Sequence, residues 1–302
     1  MSVRHGLLSS TFLAGLACGV IGLAPAHAQN ALPAVDGVNG KVEALGGVFA
    51  KQSLAGAVGS LSVPLGPQFG AQLDVGGGEF ANRFLGVVGG HLFWRDPRRA
   101  LLGVYGDYAR WDQYGGVHVG HAGVEGEVYL GHWTLAGVLG VESGNNNAGN
   151  TTATSVIPGG GTLTVNSGAL TTKTRFFDRV SLNYYFTDDW KGFIGHRYMG
   201  GKNALALGSE YALHVGGGMM PTLFAEARLG EGSNNYGLFG GLRVYFGNSD
   251  KTLIRRHRED DPGTDYGADT LFSIANGLGS TSTTASCPSN EFYINGTCSP
   301  QL

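Results

Sequence analysis

Charge is scarce in this sequence. Lys, Arg, Asp and Glu make up 14% of 302 residues, with a formal net charge of −3, whereas soluble domains carry nearer ~25%. With neither a basic stripe nor a strong acidic bias, the chain has no electrostatic footprint for nucleic acid. Cysteine is limited to Cys18, Cys287 and Cys298. Beyond the first 28 residues no apolar run is long enough to cross a membrane as a helix, a test that does not detect spanning strands. The familiar catalytic spacings HExxH, GxSxG and CxxC are missing. Gly195 to Lys202 approaches a phosphate loop but carries an extra Gly and lacks Ser or Thr after Lys202. What the chain does have is glycine, 53 residues of it, which argues against long helices.

The first 28 residues read as a cleaved secretory signal. Arg4 and His5 supply the charged start, Gly6 to Pro25 is mostly apolar, and Ala26-His27-Ala28 is a small-x-small cleavage site before Gln29. Cys18 follows Gly15-Leu16-Ala17 without the Leu that lipoprotein signals place three residues before the cysteine, which argues against a lipid anchor. Export to an oxidising compartment makes Cys287 and Cys298 a disulfide pair closing a small loop; a zinc site would need four ligands and has no His nearby. No metal or other cofactor is expected.

From residue 40 to 247 the sequence alternates apolar with small or polar residues, broken by Gly, Asn or Asp turns. Leu205, Leu207, Tyr211, Leu213 and Val215 share one face, and Ala206, Gly208, Glu210, Ala212 and His214 the other. A period of two is a strand. Charges sit on the small-residue face, the reverse of a soluble sheet packed on an apolar core, and this inversion suits a barrel standing in lipid. Twelve strands are predicted, near 40–50, 53–65, 68–76, 82–95, 100–111, 116–130, 132–142, 174–186, 190–200, 203–215, 221–230 and 235–247, with 10 or 14 as alternative counts. The fold class is therefore all-β, a transmembrane antiparallel up-and-down barrel with a mostly irregular C-terminal tail.

Loops and aromatics give this barrel an orientation. If the first strand runs outward, the even-numbered connections are short periplasmic turns, and the long Ser143 to Lys173 connection, rich in Asn, Gly, Thr and Ser, lies outside. Trp94, Trp133, Phe186, Trp190 and Phe246 fall at one level, as an interface girdle would. The predicted lumen lining comprises Asp74, Asp107, His121, Glu125, Glu127, Arg179, Arg197, Glu210, His214, Glu226, Arg228 and Arg243, while charge is almost absent from the outer face.

Gly241-Leu242-Arg243-Val244-Tyr245-Phe246 resembles the last-strand signature of bacterial outer-membrane β-barrel proteins, in which a Gly, alternating apolar positions and a closing aromatic are read by the assembly machinery. The resemblance covers the pattern of residues 40 to 247 and the leader. It implies an outer-membrane location, lipid on the outer face, the barrel-assembly machinery as a partner through the last strand, and a porin-like channel for ions or small polar solutes. Members usually stop at the closing Phe, whereas this chain continues, so residues 248–302 read as a periplasmic tail and residues 29–39 as a short lead-in. Within the tail, Lys251 to Asp261 is a solvated charge run, and Ser280 to Ser286 is a linker into the cysteine loop. The rival expectation is a non-conducting structural or adhesive barrel that uses the 143–173 loop. An autotransporter translocator lacks room for a passenger before the first strand. A lipid-modifying enzyme would need Ser and His together at the outer rim, where only His118 stands.

Overall fold

The computed structural model describes residues 32–147, 151–167, 174–213, 217–231, 236–247, 250–262, 266–277, 282–294 and 296–300. The expected signal, residues 1–28, and His214 lie outside these. The strands are β1 (Asn39–Phe49), β2 (Gln52–Pro64), β3 (Phe69–Phe80), β4 (Arg83–Asp96), β5 (Ala100–Trp111), β6 (Val117–Leu130), β7 (Trp133–Asn146), β8 (Thr151–Ile157), β9 (Gly161–Ser167), β10 (Arg175–Thr187), β11 (Trp190–Met199), β12 (Lys202–Ala212), β13 (Met219–Gly230) and β14 (Tyr236–Phe246). All but β8 and β9 pair antiparallel with their neighbours in one closed barrel. Closure comes from β14 returning to β1, with Gly40 opposite Phe246 and Phe49 opposite Gly237. Twelve wall strands is therefore the count, and no sheet edge of the wall is left unpaired.

An even number of strands puts the start of β1 and the end of β14 at one end of the barrel, the terminal end. At the opposite end, the hairpin end, the connection expected as a long loop carries the β8–β9 hairpin. Tight turns fix the register there. Ala50-Lys51 and Ala81-Asn82 take positive φ of 49° and 66°, and of 53° and 59°, the left-handed twist of a two-residue hairpin. Gly200-Gly201 does the same at 61° and 79°. At Gly200 glycine is also a matter of space, because a Cβ would lie 2.3 Å from Asn276 Cβ.

The wall sorts its side chains as the alternation dictates. Leu73, Leu102, Val124, Leu182, Ile194, Leu223 and Leu238 are exposed on the outside, while Asp74, Asp107, His121, Glu210, Glu226, Arg228 and Arg243 are buried within. Trp133, Phe186, Trp190 and Phe246 face outward at the terminal end, with Trp133 packed on Tyr184 at 4.4 Å and Phe186 on Trp190 at 4.6 Å between ring centroids. Trp94 pairs in register with outward Phe69 at the same end. A second aromatic belt, not foreseen, includes Phe84, Tyr108, Phe176 and Tyr198 near the hairpin end. Phe176 and Phe186 stand ten residues apart on β10; at ~3.4 Å per residue and a tilt of ~40° that spans ~26 Å, the height of a membrane barrel's apolar band.

One outward patch breaks the rule that charge avoids the outside. Asp178 Oδ1 meets His196 Nδ1 at 2.8 Å, His196 Nε2 lies 3.2 Å from Asn203 Oδ1, and Asn203 Nδ2 donates to Glu231 Oε1 at 2.6 Å. All four sit near the hairpin-end belt, where headgroups and water meet the wall and the cost of charge falls toward zero.

The tail is irregular apart from short elements. It forms α1 (Leu253–Glu259), α2 (Tyr266–Gly277), β15 (Ser282–Ser286), β16 (Glu291–Ile294) and β17 (Thr297–Pro300). The described tail threads the barrel. At the terminal end, Leu253 N donates to Asp189 Oδ1 at 3.0 Å and Ile254 N to Asp188 O at 2.9 Å. Deeper in, α2 reaches the opposite rim, where Asn276 Nδ2 donates to Met199 O at 3.0 Å. Beyond it β15 adds to the free edge of β9, and Cys298, joined to Cys287, donates its backbone N–H to Pro158 O at 3.0 Å.

Most of the charge run, though not Arg255, is withdrawn from solvent because its opposite signs neutralise one another. Lys251 Nζ lies 2.8 Å from Asp36, 3.3 Å from Glu259 and 2.6 Å from Asp260, and Arg256 Nη1 lies 3.0 Å from Asp260. Burial disfavours the Lys251 ammonium, but its hydrogen bonds to Asp260 and Asp36 outweigh that and hold its pKa above the ordinary lysine value. The lead-in joins this closure: Asp36 N donates to Glu259 O at 2.9 Å, and Val35 packs with Phe93, Leu101 and Tyr129.

Candidate functional site

The lumen gathers most of the residues expected to line it, and groups them in layers against the tail. Toward the hairpin end it is apolar. Leu271, Phe272 and Ile274 of α2 are buried among Phe49, Phe80, Leu85, Trp111, Phe177, Met199 and Phe239, and Phe272 meets Phe49 edge-on at 5.7 Å. Burying three such side chains is worth ~1.5–3 kcal/mol each, so α2 is seated in a dry core that happens to be enclosed by a barrel.

Just below, His121 ties β6 to the plug. Its Nδ1 is 2.7 Å from Asp107 Oδ1 and its Nε2 is 2.9 Å from Ser273 Oγ and 3.3 Å from Glu142. Tyr105 donates to the other oxygen of Asp107. The order Asp, His, Ser resembles a hydrolytic relay on paper. Here Ser273 Oγ donates to Glu142 Oε2 at 2.8 Å and every member is buried, so the group serves as a hydrogen-bonded fastening between α2 and the wall.

At mid-height one carboxylate draws three guanidinium groups together. Asp269 of α2 is 2.7 Å from Arg179, 2.7 Å from Arg228 and 3.4 Å from Arg197, and Glu226 accepts from Arg228 Nε at 2.6 Å. Only α2 brings these three strands' arginines to a common partner. Wall arginines thus pair both with the plug, at Asp269, and with wall glutamates, as Arg228 does with Glu226.

Nearer the terminal end, Arg243 bridges Glu43 and Glu210, the latter at 3.0 Å, with its guanidinium 4.8 Å from the Phe224 ring centre. Glu210 also pairs with Lys191 at 3.1 Å and accepts from Tyr245 OH at 2.9 Å. His257 of α1 sits between Tyr185 and Tyr245 at 2.7 and 2.8 Å. On the β6 side, His91 Nδ1 is 2.5 Å from Glu125, and Asp74 accepts from Ser60 and from Gln72 Nε2. Glu127 accepts from Tyr129 OH at 2.8 Å. Beside α1 a cavity of about 100 Å³ remains, lined by β6, β7 and β10 to β14 together with His257 and Arg258.

Glu43, His91, Glu142, Lys191, Asp269 and Ser273 were not anticipated. Glu43 and His91 lie on β1 and β4, where both faces carry apolar side chains and alternation is faint. The signal for α2 was present: Leu271, Phe272, Ile274 and Ala275 recur at helical spacing. Among the described residues no cluster of three or more His, Cys, Asp or Glu is arranged to hold a metal ion.

A closed barrel with an apolar outside, aromatic belts and a charged inside defines a class, the membrane-spanning β-barrel. No family model and no curated protein matches the chain. Among solved structures it is similar to the KdgM porin in complex with disordered oligogalacturonate, at 6% identity over 69% of this chain and 99% of that one, with a TM-score of 0.42. It is also similar to an outer membrane channel from Pseudomonas putida F1, at 11% identity over 74% and 99% with a TM-score of 0.43. A third is the outer membrane protein Omp33 of Acinetobacter baumannii, at 9% identity, 71% of this chain and a TM-score of 0.34.

Proposed function

We propose that the protein is a barrel of the bacterial outer membrane that stands closed by its own C-terminal segment, and that it acts at the surface through the cap on its hairpin end. The observation that carries this is the seat of α2: Leu271, Phe272 and Ile274 in an apolar ring, with Asp269 and Ser273 fastened beneath. An open porin keeps its constriction wet, whereas here Leu271, Phe272 and Ile274 pack into an apolar ring. The cap consists of β8, β9 and β15 with the disulfide-closed β16–β17 hairpin, which exposes Phe292, Tyr293 and Ile294. In planar bilayers the intact chain should be electrically silent; unitary conductance steps from it at low voltage would overturn the reading.

A second reading keeps the channel for ions or small polar solutes and makes the tail its gate. Its support is the charged wall around the remaining cavity, a lining that a purely structural barrel could fill with apolar side chains at less cost. Phe272→Asp, which places a charge in the apolar ring, separates the two. Conductance gained with the barrel still folded supports a gate, and a folded, silent variant supports a permanent plug.

A further inference from the structure

We infer that β8 is a self-association edge, through which two copies of the chain join their caps by pairing β8 with β8, antiparallel, across a twofold axis at Thr154. This rests on the reading of the cap as the part that acts, and it names the partner. The cap sheet runs β15-β9-β8, so β9 is flanked on both sides. Among the described residues β8 pairs with β9 alone. Thr152, Ala153, Thr154, Ser155 and Val156 are exposed in unbroken succession, Val156 at 80%. A strand lying on a core shows every second residue to solvent, so five in a row place both faces of β8 in water, with Ile157 buried at its end.

Edges of this kind are normally guarded. Sheets blunt them with Lys, Pro, a bulge or short length. β8 has none of these: Thr151–Ile157 is seven residues of Thr, Ala, Ser, Val and Ile, paired to β9 in continuous register. Such a segment, rich in β-branched residues and free of charge, Pro and Gly, is the kind that pairs with its own copies. The opposite edge is β15, which has only five residues and so carries the protection of shortness.

The occupant is a second copy on grounds of charge and symmetry. Like charges set directly opposite one another work against a strand pairing with itself, and β8, β9 and β15 contain no Lys, Arg, Asp or Glu. Centring the pair on Thr154 uses the whole of β8 and sets Ala153 opposite the partner's Ser155, two small side chains. Backbone hydrogen bonds supply the affinity, as in other strand additions. The fold already makes this contact within one chain, where β15 adds to β9 from Ser282 opposite Asn166 to Ser286 opposite Thr162. A twofold pair of identical edges closes on itself, so the product is a dimer and not a fibre.

Sedimentation equilibrium of the full chain in density-matched detergent should show a monomer–dimer equilibrium that shifts with concentration. Thr154→Lys sets two ammonium groups face to face at the axis and should weaken the dimer at least tenfold, whereas Thr154→Val, which keeps β-propensity without charge, should not. Thr154→Cys should form an intermolecular disulfide on mild oxidation, while Thr164→Cys on β9, enclosed by strands on both sides, should not. A wild-type chain that stays monomeric at every concentration overturns the proposal. So does a dimer that Thr154→Lys leaves unchanged, or one that Thr154→Cys fails to cross-link. Heat-modifiable gel mobility checks that each variant keeps its barrel, and if Thr154→Lys fails that check the two cysteine variants decide alone. A silent but monomeric barrel sinks only the self-association, and a conducting barrel that dimerises sinks only the closed lumen.

Discussion

Asp269→Asn tests the fastening of the plug most directly. The substitution keeps the side-chain shape and removes one negative charge from a point lying 2.7 Å from Arg179, 2.7 Å from Arg228 and 3.4 Å from Arg197. Asp269 is 2% exposed, and Arg197 and Arg228 are 1% and 0% exposed, so solvent cannot replace the lost partner. Removing one member of a buried ion pair typically costs ~3–5 kcal/mol. The loss has an upper bound, because the tail can leave the lumen once the cost exceeds what Leu271, Phe272 and Ile274 supply by burial, ~9 kcal/mol at most. Urea unfolding in detergent should show a destabilisation of several kcal/mol, or a first transition in which trypsin gains access to Arg255, Arg256 and Arg258 while the barrel persists. Adding Arg228→Gln should recover part of the loss, since one of the stranded cations is then gone. A stability unchanged within ~0.5 kcal/mol, with the tail as protease-resistant as before, would refute the claim that Asp269 holds the plug.

Gly200→Val should loosen α2 and strain the β11–β12 turn, because its side chain would meet Asn276 and the Ser273 carbonyl and its φ of 61° disfavours a β-branched residue; protease access to the tail measures the first effect and barrel melting the second. Lys251 has a folded-state pKa above its unfolded one, so its contribution is complete below the ordinary lysine value of ~10.4 and is lost as pH rises through the folded value. Alkaline titration above the ordinary lysine range should therefore free α1 before strand circular dichroism changes, and Lys251→Met should remove that step. Reducing the Cys287–Cys298 bond should speed chymotrypsin cleavage after the already exposed Phe292 and Tyr293, by freeing the hairpin backbone, without altering barrel melting, as the loop it closes is local. Leu182→Arg, outward near mid-height, should cost ~2–4 kcal/mol in lipid vesicles, and much less would mean that this face is not in hydrocarbon.

The wall was legible in the sequence because a strand's two faces alternate with period two and lipid demands apolar residues at every second position. Strand existence, strand number and the inward placement of Asp107, Glu210 and Arg243 all follow from that local rule. The terminal-end belt followed too, from Trp133 and Phe186 at strand ends. β1 and β4 were fainter because apolar side chains occur on both of their faces, and Glu43 and His91 were overlooked with them. The belt nearer the hairpin end was missed because Phe84, Tyr108, Phe176 and Tyr198 fall at varied distances from their turns.

The tail shows where such reasoning ends. Read along the chain, Lys251 to Asp261 has the composition of a solvated stretch, and nothing local says that its charges will meet Asp36 from the other end of the sequence. Asp269 looks like an ordinary helix residue until β10, β11 and β13 bring their arginines to one point. The sequence by itself determined a wall with lipid outside and charge inside, since each residue there answers to its own neighbours and to the solvent it faces. Only the tertiary structure decided what fills that wall, because neutralising a buried charge depends on which distant residue is delivered beside it.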